Sequence, residues 1–452
     1  MNRYFILLCF CMTAAAFHAV QADSVDGVHE ITFIEQDELG ATILDKISRA
    51  KSKIFLAQHI MGDGQYGRAI TAKLMEAARR RNKDGSRVDV RLIYDGLVSS
   101  LYAVQAPGRL LVSAGVKVQS YNPKERLFAI NRRMHSKLMI IDDEVFVGSS
   151  NSHACSTISM VCIESDMMIT GKKILHDAVQ SYLEFWDHQV TWEIAFPEPL
   201  WRADEQHEDE KRAVAARYQK RIERYLQMHL PAANRMISEI FSKQSNPGRS
   251  PPRKYQVSKI DYVSDPPRKV KNGGMFAQLM EIIASAKKSV RIITPYFFPT
   301  GKIKNALASA AGNGAHVEVY TTRRDELVNI FGLALTRSFA FVHEHDIDLY
   351  EYQQRKLLHS KLFIVDDRIA YLGSANFDSL SQRFNTENGV LIDLQHDADL
   401  HQRFNSEIDL VRQQSKQVMD SKGPGLFDYR DCSQTTCNPL IKLLNPATEV
   451  FY

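Results

Sequence analysis

Two copies of one short motif place residue types with catalytic potential at the same spacing in both halves of the chain. Residues 135–142 read HSKLMIID, residues 359–366 read HSKLFIVD, and both fit the pattern His-x-Lys-x-x-x-x-Asp. Gly-Ser-x-Asn follows each copy at the same offset. The repeated polar residues are His135, Lys137, Asp142, Ser149 and Asn151 in the first copy and His359, Lys361, Asp366, Ser374 and Asn376 in the second. Two copies in register predict one active site assembled from two half-sites.

The residue types in each half-site suit the transfer of a phosphoryl group. Each half supplies one imidazole, one ammonium group and neutral hydrogen-bond donors. An imidazole can attack phosphorus, the ammonium can stabilise the equatorial oxygens, and the neutral donors can orient them. Displacement of an alkoxide also requires a proton donor to the leaving oxygen. Two imidazoles, one from each half, can supply both the nucleophile and the acid.

Two other interpretations of the motif pair are ordinary buried strands with polar ends and a metal site. Ordinary strands are not expected to repeat six residue types in register. A metal is disfavoured because the ammonium group beside each His has no lone pair and repels a cation. We therefore predict catalytic roles for the His, Lys and Asp residues of both motifs, with no metal and no cofactor. We predict phosphate-binding roles for Ser149, Asn151, Ser374 and Asn376.

Hydrophobic patterning indicates how these residues are positioned. The apolar runs at 138–141 and 362–365 are short and predict buried strands. His and Lys two residues apart on such a strand point to the same face. The Asp-Asp pairs that follow predict turns, and the apolar runs at 145–147 and 369–372 predict second strands. The Gly-Ser pair at the end of each second strand is expected to return Ser and Asn to the His-Lys face.

The motifs lie within a longer internal repeat that indicates the fold. Matching segments predict helices near 67–80 and 301–312, strands near 88–94 and 316–321, and helices near 99–114 and 326–344. Alternation of strands and helices predicts an α/β sheet with helices on its faces. The repeat therefore indicates a domain duplication.

The motif pair and the duplication resemble the phospholipase D superfamily, and the resemblance extends over most of the chain. Loops at 95–100 and 294–299 are similar to segments of bacterial cardiolipin synthases. The resemblance implies an α/β fold of duplicated phospholipase D-type domains, each a mixed sheet flanked by helices. It implies that a pseudo-twofold axis relates the domains and that they share one active site. It also implies a phosphohistidine intermediate without a metal, with His135 as the nucleophile and His359 as the general acid.

The superfamily also places an acidic residue after each motif, where it orients the His of the opposite half. Asn385-Thr386-Glu387 matches the Asn-x-Glu pattern of the second half. Glu164 is the nearest equivalent in the first half. The resemblance therefore implies orienting roles for Glu387 and Glu164.

The first residues of the chain are typical of a targeting segment. Arg3 precedes an apolar run at 5–17, and Val20-Gln21-Ala22 offers a small-residue cleavage site. This pattern predicts a signal peptide at 1–22 and an exported protein that is periplasmic or secreted. An uncleaved membrane anchor is the alternative.

Four of the six cysteines follow residue 22, and an even number in an exported protein favours disulfides. The pairs that close the shortest loops are Cys155–Cys162 and Cys432–Cys437, which we predict to be bonded. Buried free thiols are the alternative.

Length and composition are those of a globular protein with two medium domains. The chain has 452 residues, of which 44% are hydrophobic and 24% charged, and its net charge is +4. We predict a first phospholipase D-like domain at 23–200, a helical insert and basic Pro-rich linker at 201–272, and a second such domain at 273–452. The mild basicity suits an anionic substrate but does not distinguish a phospholipid from a nucleic acid.

We interpret the chain as an exported, metal-independent phosphodiesterase or phosphatidyltransferase that acts on glycerophospholipids at a membrane surface. Water or an alcohol would accept the phosphatidyl group, and no obligate protein partner is inferred. Residues 59–61 and 296–298 follow strands and offer apolar side chains as candidate lipid contacts. The alternatives are a periplasmic nuclease of the same superfamily and, more remotely, a non-catalytic binding module.

Overall fold

The structure is a computed structural model, and it shows the architecture of most of the chain. The predicted signal peptide at 1–22 lies outside the described residues, as do Cys155, Cys432 and Cys437. In the part of the chain that is described, no helix combines the length and the hydropathy needed to span a bilayer. The described residues are 27–97, 105–122, 132–152, 162–194, 208–244, 252–268, 274–327, 329–420 and 423–424.

Two nine-stranded sheets, one for each half of the chain, position the motifs. The first strands along the chain are β1 (His29–Ile34), β2 (Lys53–Gln58), β3 (Asp89–Asp95), β4 (Lys117–Tyr121), β5 (Lys137–Ile141), β6 (Glu144–Gly148), β7 (Cys162–Ile163), β8 (Asp166–Thr170) and β9 (Thr191–Glu193). They are followed by β10 (Lys254–Val257), β11 (Ile260–Ser264), β12 (Ser289–Thr294), β13 (His316–Thr322), β14 (Ile347–Tyr352), β15 (Leu357–Leu358), β16 (Leu362–Val365), β17 (Ile369–Gly373), β18 (Asn388–Asp393), β19 (Ser415–Asp420) and β20 (Gly423–Pro424).

Helices cover the outer faces of the sheets and fill the space between them. The described helices are α1 (Gln36–Arg49), α2 (Gln65–Arg79), α3 (Gln105–Ser113), α4 (Lys172–Trp186), α5 (Glu208–Gln244), α6 (Met275–Ala284), α7 (Lys302–Gly312), α8 (Asn329–Glu344), α9 (Ser379–Arg383) and α10 (Ala398–Gln413). α5 is longer than its neighbours and continues through Pro231.

The two sheets share one topology. The order β1-β8-β6-β5-β2-β3-β4-β9 in the first sheet corresponds to β11-β18-β17-β16-β12-β13-β14-β19 in the second. In each sheet the central strands pair in parallel, as β2 with β3 and β12 with β13, while the motif strands pair antiparallel to them. The prediction of a duplicated mixed α/β fold flanked by helices is therefore confirmed.

The segment predicted to be a linker contributes a strand to each sheet instead. β10 pairs antiparallel with β1 in the first sheet, and β11 pairs antiparallel with β18 in the second. The buried residues of β10 are Tyr255 and Val257, which alternate with exposed polar residues. This alternation is typical of an edge strand, but the surrounding Pro and Lys residues obscure it in the sequence.

The motif strands β5 and β16 are buried on both faces, which explains their unbroken apolar sequences. In β5, Leu138 and Ile140 belong to a central core that both sheets share. Met139 and Ile141 belong to an outer core that includes residues of α1 and α2. β16 alternates in the same way between the central core and the outer core of the second half. Because successive strand residues point to opposite faces, only a continuous apolar run can fill both cores.

The two halves meet at the ends of the motif strands. β7 of the first half pairs in parallel with β15 of the second. The N–H of His135 donates to the carbonyl of Thr386 at 2.9 Å, and the N–H of His359 donates to the carbonyl of Ile163 at 2.8 Å. Equivalent backbone hydrogen bonds thus hold each motif His against the opposite half.

Candidate active site

The structure brings the His and Lys residues of both motifs into one electrostatic environment. His135 and His359 lie just before β5 and β16, on the loops that touch the opposite half. The charges of His359 and Lys361 both act on His135, although these residues are more than 200 positions away in the chain. The two copies of the motif therefore form one site, not two.

Each motif His contacts a carboxylate of the other half. The Nδ1 atom of His135 lies 2.8 Å and 3.0 Å from the two carboxylate oxygens of Glu387. The Nδ1 atom of His359 lies 2.8 Å and 2.9 Å from those of Glu164. A carboxylate accepts a proton at these distances, so each Nδ1 carries the hydrogen and each Nε2 keeps a lone pair. Both imidazoles are thereby set in the tautomer that suits attack through Nε2.

Hydroxyl groups hold the Glu387 carboxylate, and one of them belongs to Ser374, which we predicted to bind phosphate. Ser374 donates to Glu387 at 2.5 Å, and Ser381 donates to its other oxygen at 2.6 Å. A hydroxyl has one hydrogen to donate, so Ser374 orients this acid in the present arrangement. Ser149 donates to the carbonyl of Ser165 at 3.4 Å and accepts from the N–H of Ser165 at 3.0 Å. Its predicted contact with phosphate stays a prediction.

The two lysines lie beside the histidines that precede them. The Nζ of Lys137 donates to the carbonyl of His135 at 2.8 Å, and that of Lys361 donates to the carbonyl of His359. Burial lowers the pKa of Lys137 to about 8, against the opposing charges of Glu387 and Glu164. Burial lowers the pKa of Lys361 to about 7, and the charge of Lys137 adds to this shift. Loss of hydration is therefore the main cause of both shifts, because burial disfavours the charged form of a lysine.

Both imidazoles are neutral at neutral pH in the unliganded protein. Burial, followed by the charges of Lys137 and Lys361, holds the pKa of His135 well below its usual value. Burial lowers the pKa of His359 to about 4, although the charge of Glu164 opposes the change. A neutral imidazole is the nucleophilic form. An anion bound between the histidines and lysines would raise the pKa of every one of these groups.

Asn151 and Asn376 remain candidates for phosphate contacts. Both side chains are buried on the loops that follow β6 and β17. Asn151 and Lys137 line one small cavity of about 20 Å³. A cavity of this size accommodates about one water molecule and no phosphate group. This cavity is therefore too small to be the substrate site.

Asp142 and Asp366 lie at the far ends of the motif strands, which corrects their prediction as catalytic residues. β5 has 5 residues and separates Lys137 from Asp142, a distance of about 16 Å at about 3.3 Å per residue. Asp142 accepts hydrogen bonds from the backbone N–H groups of Lys51, Ser52 and Lys53. Asp366 accepts three equivalent bonds from residues 287–289. These carboxylates fix the turn that precedes the neighbouring strand, and they do not reach the histidines.

Asp142→Asn should therefore lower stability while the folded protein keeps its turnover. Burial opposes ionisation of Asp142, but the hydrogen bonds from Ser52, Lys51 and Lys53 outweigh it and leave its pKa below the usual value. Loss of the charge at these bonds should cost about 2 kcal/mol, seen as a lower melting temperature by circular dichroism. The exposed neighbour Asp143 provides the control, since Asp143→Asn should leave the melting temperature unchanged. Loss of turnover in folded Asp142→Asn protein would restore a catalytic role.

His59 is a third imidazole at the site, and the sequence did not single it out as a site residue. Its ring lies 4.7 Å from the ring of His135 in an edge-to-face arrangement. Its Nδ1 lies 2.8 Å from the carbonyl of Met134. Burial and the charges of His135 and Lys137 hold the pKa of His59 well below its usual value. The one signal that could have revealed His59 is the pairing of β2 with β5, in which Gln58 lies opposite Lys137.

Asp166 is a second group near the site that sequence reasoning missed. Burial and the charge of Glu164 raise the pKa of Asp166 to about 7. Ser150 donates to this carboxyl group at 2.6 Å. Glu164 lies between β7 and β8 and Asp166 begins β8, so no single strand pattern related the two acids in the sequence.

Comparisons with known proteins agree with this arrangement. The family model described as "Cardiolipin synthase, PLD-like domain" matches residues 43–186 and 279–410, and each matched segment contains one motif. Cardiolipin synthase B of Salmonella typhi is 26% identical over 421 residues, which cover 88% of this chain and 84% of that protein. Cardiolipin synthase 2 of Bacillus anthracis is 28% identical over 392 residues, which cover 84% of this chain and 64% of that protein.

Among solved structures, a phosphatidylserine synthase from Haemophilus influenzae has the same fold. The two chains superpose with a TM-score of 0.64 at 14% sequence identity, and the match covers 93% of each. The family match spans more than half of the chain and includes both half-sites. The chain therefore belongs to the cardiolipin synthase family of phospholipase D-like proteins, and it is an enzyme of the phospholipase D type.

Proposed function

We propose that the protein transfers the phosphatidyl group of a glycerophospholipid to water or to an alcohol, through a phosphohistidine at His135. The observation that supports this most strongly is the pair of His–carboxylate contacts between the halves. They prepare two neutral imidazoles at one site. One can act on phosphorus while the other exchanges a proton with the leaving or entering oxygen.

In the first step, Nε2 of His135 attacks phosphorus and the bond to the leaving oxygen breaks. Glu387 stabilises the positive charge that develops on His135. Lys137 and Lys361 provide the cations nearest to the histidines and would stabilise the phosphoryl oxygens. His359, protonated once the anionic phosphodiester has raised its pKa, gives its proton to the leaving alkoxide.

In the second step, water or an alcohol replaces His135 on phosphorus. Neutral His359 removes the proton from the entering hydroxyl, whose oxygen bonds to phosphorus as the P–N bond breaks. Glu164 stabilises the protonated form of His359, because its charge raises the pKa of that imidazole. Glu387 stands in the same relation to His135, so the assignment of His135 as the nucleophile and His359 as the acid and base follows the resemblance to the superfamily.

A phospholipid is favoured over a nucleic acid by the relatives, whose names describe cardiolipin synthases. The apolar contacts proposed from the sequence need revision, however. Phe297, Phe298 and Met61 are buried in the outer cores and cannot line a substrate crevice. His59, Ile60 and Tyr296 of those segments are half-buried, and Ile60 and Tyr296 offer the apolar surface that could contact acyl chains.

The substrate class is tested by incubating purified protein with mixed phospholipid vesicles plus glycerol, and separately with plasmid and single-stranded DNA. We expect phosphatidate or a new phosphatidyl alcohol by mass spectrometry, and intact DNA on a gel. His135→Asn protein, prepared in parallel, controls for contaminating activities. Degraded DNA beside unchanged phospholipids would support the nuclease alternative and contradict the proposal.

The pH dependence of kcat/KM for a soluble phosphodiester should reflect the two lysines. An ammonium group binds an anionic phosphate only when it is protonated, so kcat/KM should fall as the pH rises through about 7 for Lys361 and about 8 for Lys137. Arg keeps its charge over this range, so Lys361→Arg should remove the lower ionisation. A wild-type profile that stays flat well above pH 8 would contradict the proposed role of the lysines.

We also propose that the protein is exported, on the basis of the signal-peptide pattern at 1–22. Cys162 is buried at the start of β7 and is disulfide-bonded. Its predicted partner Cys155 lies outside the described residues, so the pairing stays a prediction. Cell fractionation followed by peptide mapping without reductant tests both points, and free thiols in cytoplasmic material would contradict them.

A further inference from the structure

α5 packs on the first half through one face and leaves the other to solvent. This 37-residue helix contacts α1, α2 and α3. Its buried residues, Ile222, Ala233 and Ile240, belong to the packed side of the helix. The side chains of the opposite face are exposed and line an open depression of about 570 Å³.

Four cations and one methionine form a stripe along this outer face. We call it the cationic stripe, and its residues are Arg217, Lys220, Arg221, Arg224 and Met228. At about 100° per residue these side chains fall within an arc of about 100°, turned away from Ile222. All five are exposed, and Met228 is 58% exposed.

The four cations of the stripe have no ion-pair partner in the part of the chain that the structure describes, although Arg221 lies over the ring of Tyr218 at 5.6 Å. Between residues 212 and 228 the exposed anion is Glu223 alone, against five exposed cations including Arg212. The whole chain has a net charge of only +4, so this face concentrates positive charge.

The stripe lies on the outer side of a helix that borders the active site. On the inner side of α5, Tyr225 lies close to α2, and the charges of Asp63 and Arg68 act on it. The same loop after β2 contacts the site, because the N–H of Gly62 donates to the carbonyl of Ser152 at 2.9 Å. A surface that docks on α5 would therefore meet the protein beside the loop that includes His59.

We propose that the cationic stripe binds the surface of an anionic phospholipid bilayer. Cations attract anionic headgroups, while an exposed methionine among them can enter the apolar boundary beneath. The names of the relatives, which describe cardiolipin synthases, favour a bilayer over a nucleic acid as the partner of this surface. The proposal rests on the proposed function, since it identifies how that site would reach a lipid substrate in a membrane.

The test compares vesicle binding by full-length wild-type protein and a variant with Arg217, Lys220, Arg221 and Arg224 all changed to Gln. Flotation uses vesicles of phosphatidylcholine with phosphatidylglycerol, and vesicles of phosphatidylcholine alone. Wild type should prefer the anionic vesicles, and added salt should weaken its binding. At roughly a fivefold loss of affinity for each cation, the four cations set an upper limit of about 600-fold, and we expect the variant to lose affinity roughly a hundredfold.

A control variant changes four exposed cations elsewhere, Lys83, Lys287, Lys288 and Arg355, to Gln. It has the same net charge as the stripe variant. If the location of the cations on α5 is what matters, the control variant should bind anionic vesicles as tightly as wild type. Circular dichroism and the melting temperature show whether each variant is folded. Equal loss in both variants, or equal binding of wild type to both vesicle types, would overturn the proposal. So would binding of single-stranded DNA through the stripe without binding of vesicles.

A separate assay distinguishes this failure from failure of the proposed function. Wild-type turnover of a soluble short-chain phospholipid does not require a bilayer surface. If the wild type turns over that substrate but the stripe variant binds vesicles as tightly as the wild type, only the proposed membrane-binding surface is refuted. Absence of any phospholipid turnover would refute the proposed function and the docking surface with it.

Discussion

His135→Asn is expected to abolish turnover, with a loss of about 10⁴-fold or more. The amide cannot attack phosphorus, although its NH2 group can still donate to Glu387 in place of Nδ1. The backbone N–H that holds residue 135 against Thr386 is unaffected by the substitution. The variant should therefore fold normally, and kcat is the quantity to measure. His316→Asn, which changes an exposed imidazole on β13, should keep wild-type kcat.

His359→Asn should fail at a different step, and a phospholipid with a nitrophenyl leaving group separates the two roles. That leaving group departs without a proton, so His359→Asn should release one equivalent of nitrophenol per enzyme and then stop. His135→Asn should release none, because no covalent intermediate forms. A burst with His135→Asn and none with His359→Asn would reverse the assignment of nucleophile and acid.

Glu387→Gln is expected to lower kcat by roughly 10³-fold, the second largest effect. The carboxylate fixes the tautomer of His135 and stabilises its positive charge during attack. Glutamine keeps the volume of the side chain but has no charge, and its amide can present a donor to Nδ1. The hydroxyls of Ser374 and Ser381 would then lose an anionic acceptor as well. Because Glu387 lies in the half opposite to His135, this variant tests whether both halves contribute to one catalytic group.

The exposed acid Glu281 offers the matched control for this substitution. Glu281→Gln should leave kcat and KM unchanged. A value of kcat within tenfold of wild type for folded Glu387→Gln protein would show that the contact between the halves is only structural.

The paired histidines, lysines and carboxylates could be identified from the sequence because their types repeat in register. The sequence did not indicate which acceptor each hydroxyl group would find. Ser374 donates to Glu387, which follows 13 residues later and belongs to no pattern shared with Ser374. His59 was missed for a similar reason. A lone His after a strand has no partner in the motif, and only the pairing of β2 with β5 brings it to His135.

The aspartates illustrate the opposite error. Asp142 and Asp366 repeat as faithfully as the catalytic residues, so repetition alone made them appear catalytic. The length of β5 excludes a catalytic role, because the extended strand places Asp142 about 16 Å from Lys137. In a duplicated fold, residues that stabilise turns therefore repeat in register just as catalytic residues do.

The strands within the predicted linker were not foreseen because Pro and Lys residues dominate its composition, while the alternation of Tyr255 and Val257 extends over only a few residues.

The most direct test of the account is to identify the residue that becomes covalently modified. Wild-type protein would be mixed with a phospholipid, quenched in base to preserve a phosphohistidine, digested, and analysed by mass spectrometry. The account predicts a phosphatidyl adduct on the peptide that contains His135, and its disappearance in His135→Asn. An adduct on His359 alone, or turnover without any histidine adduct, would contradict it.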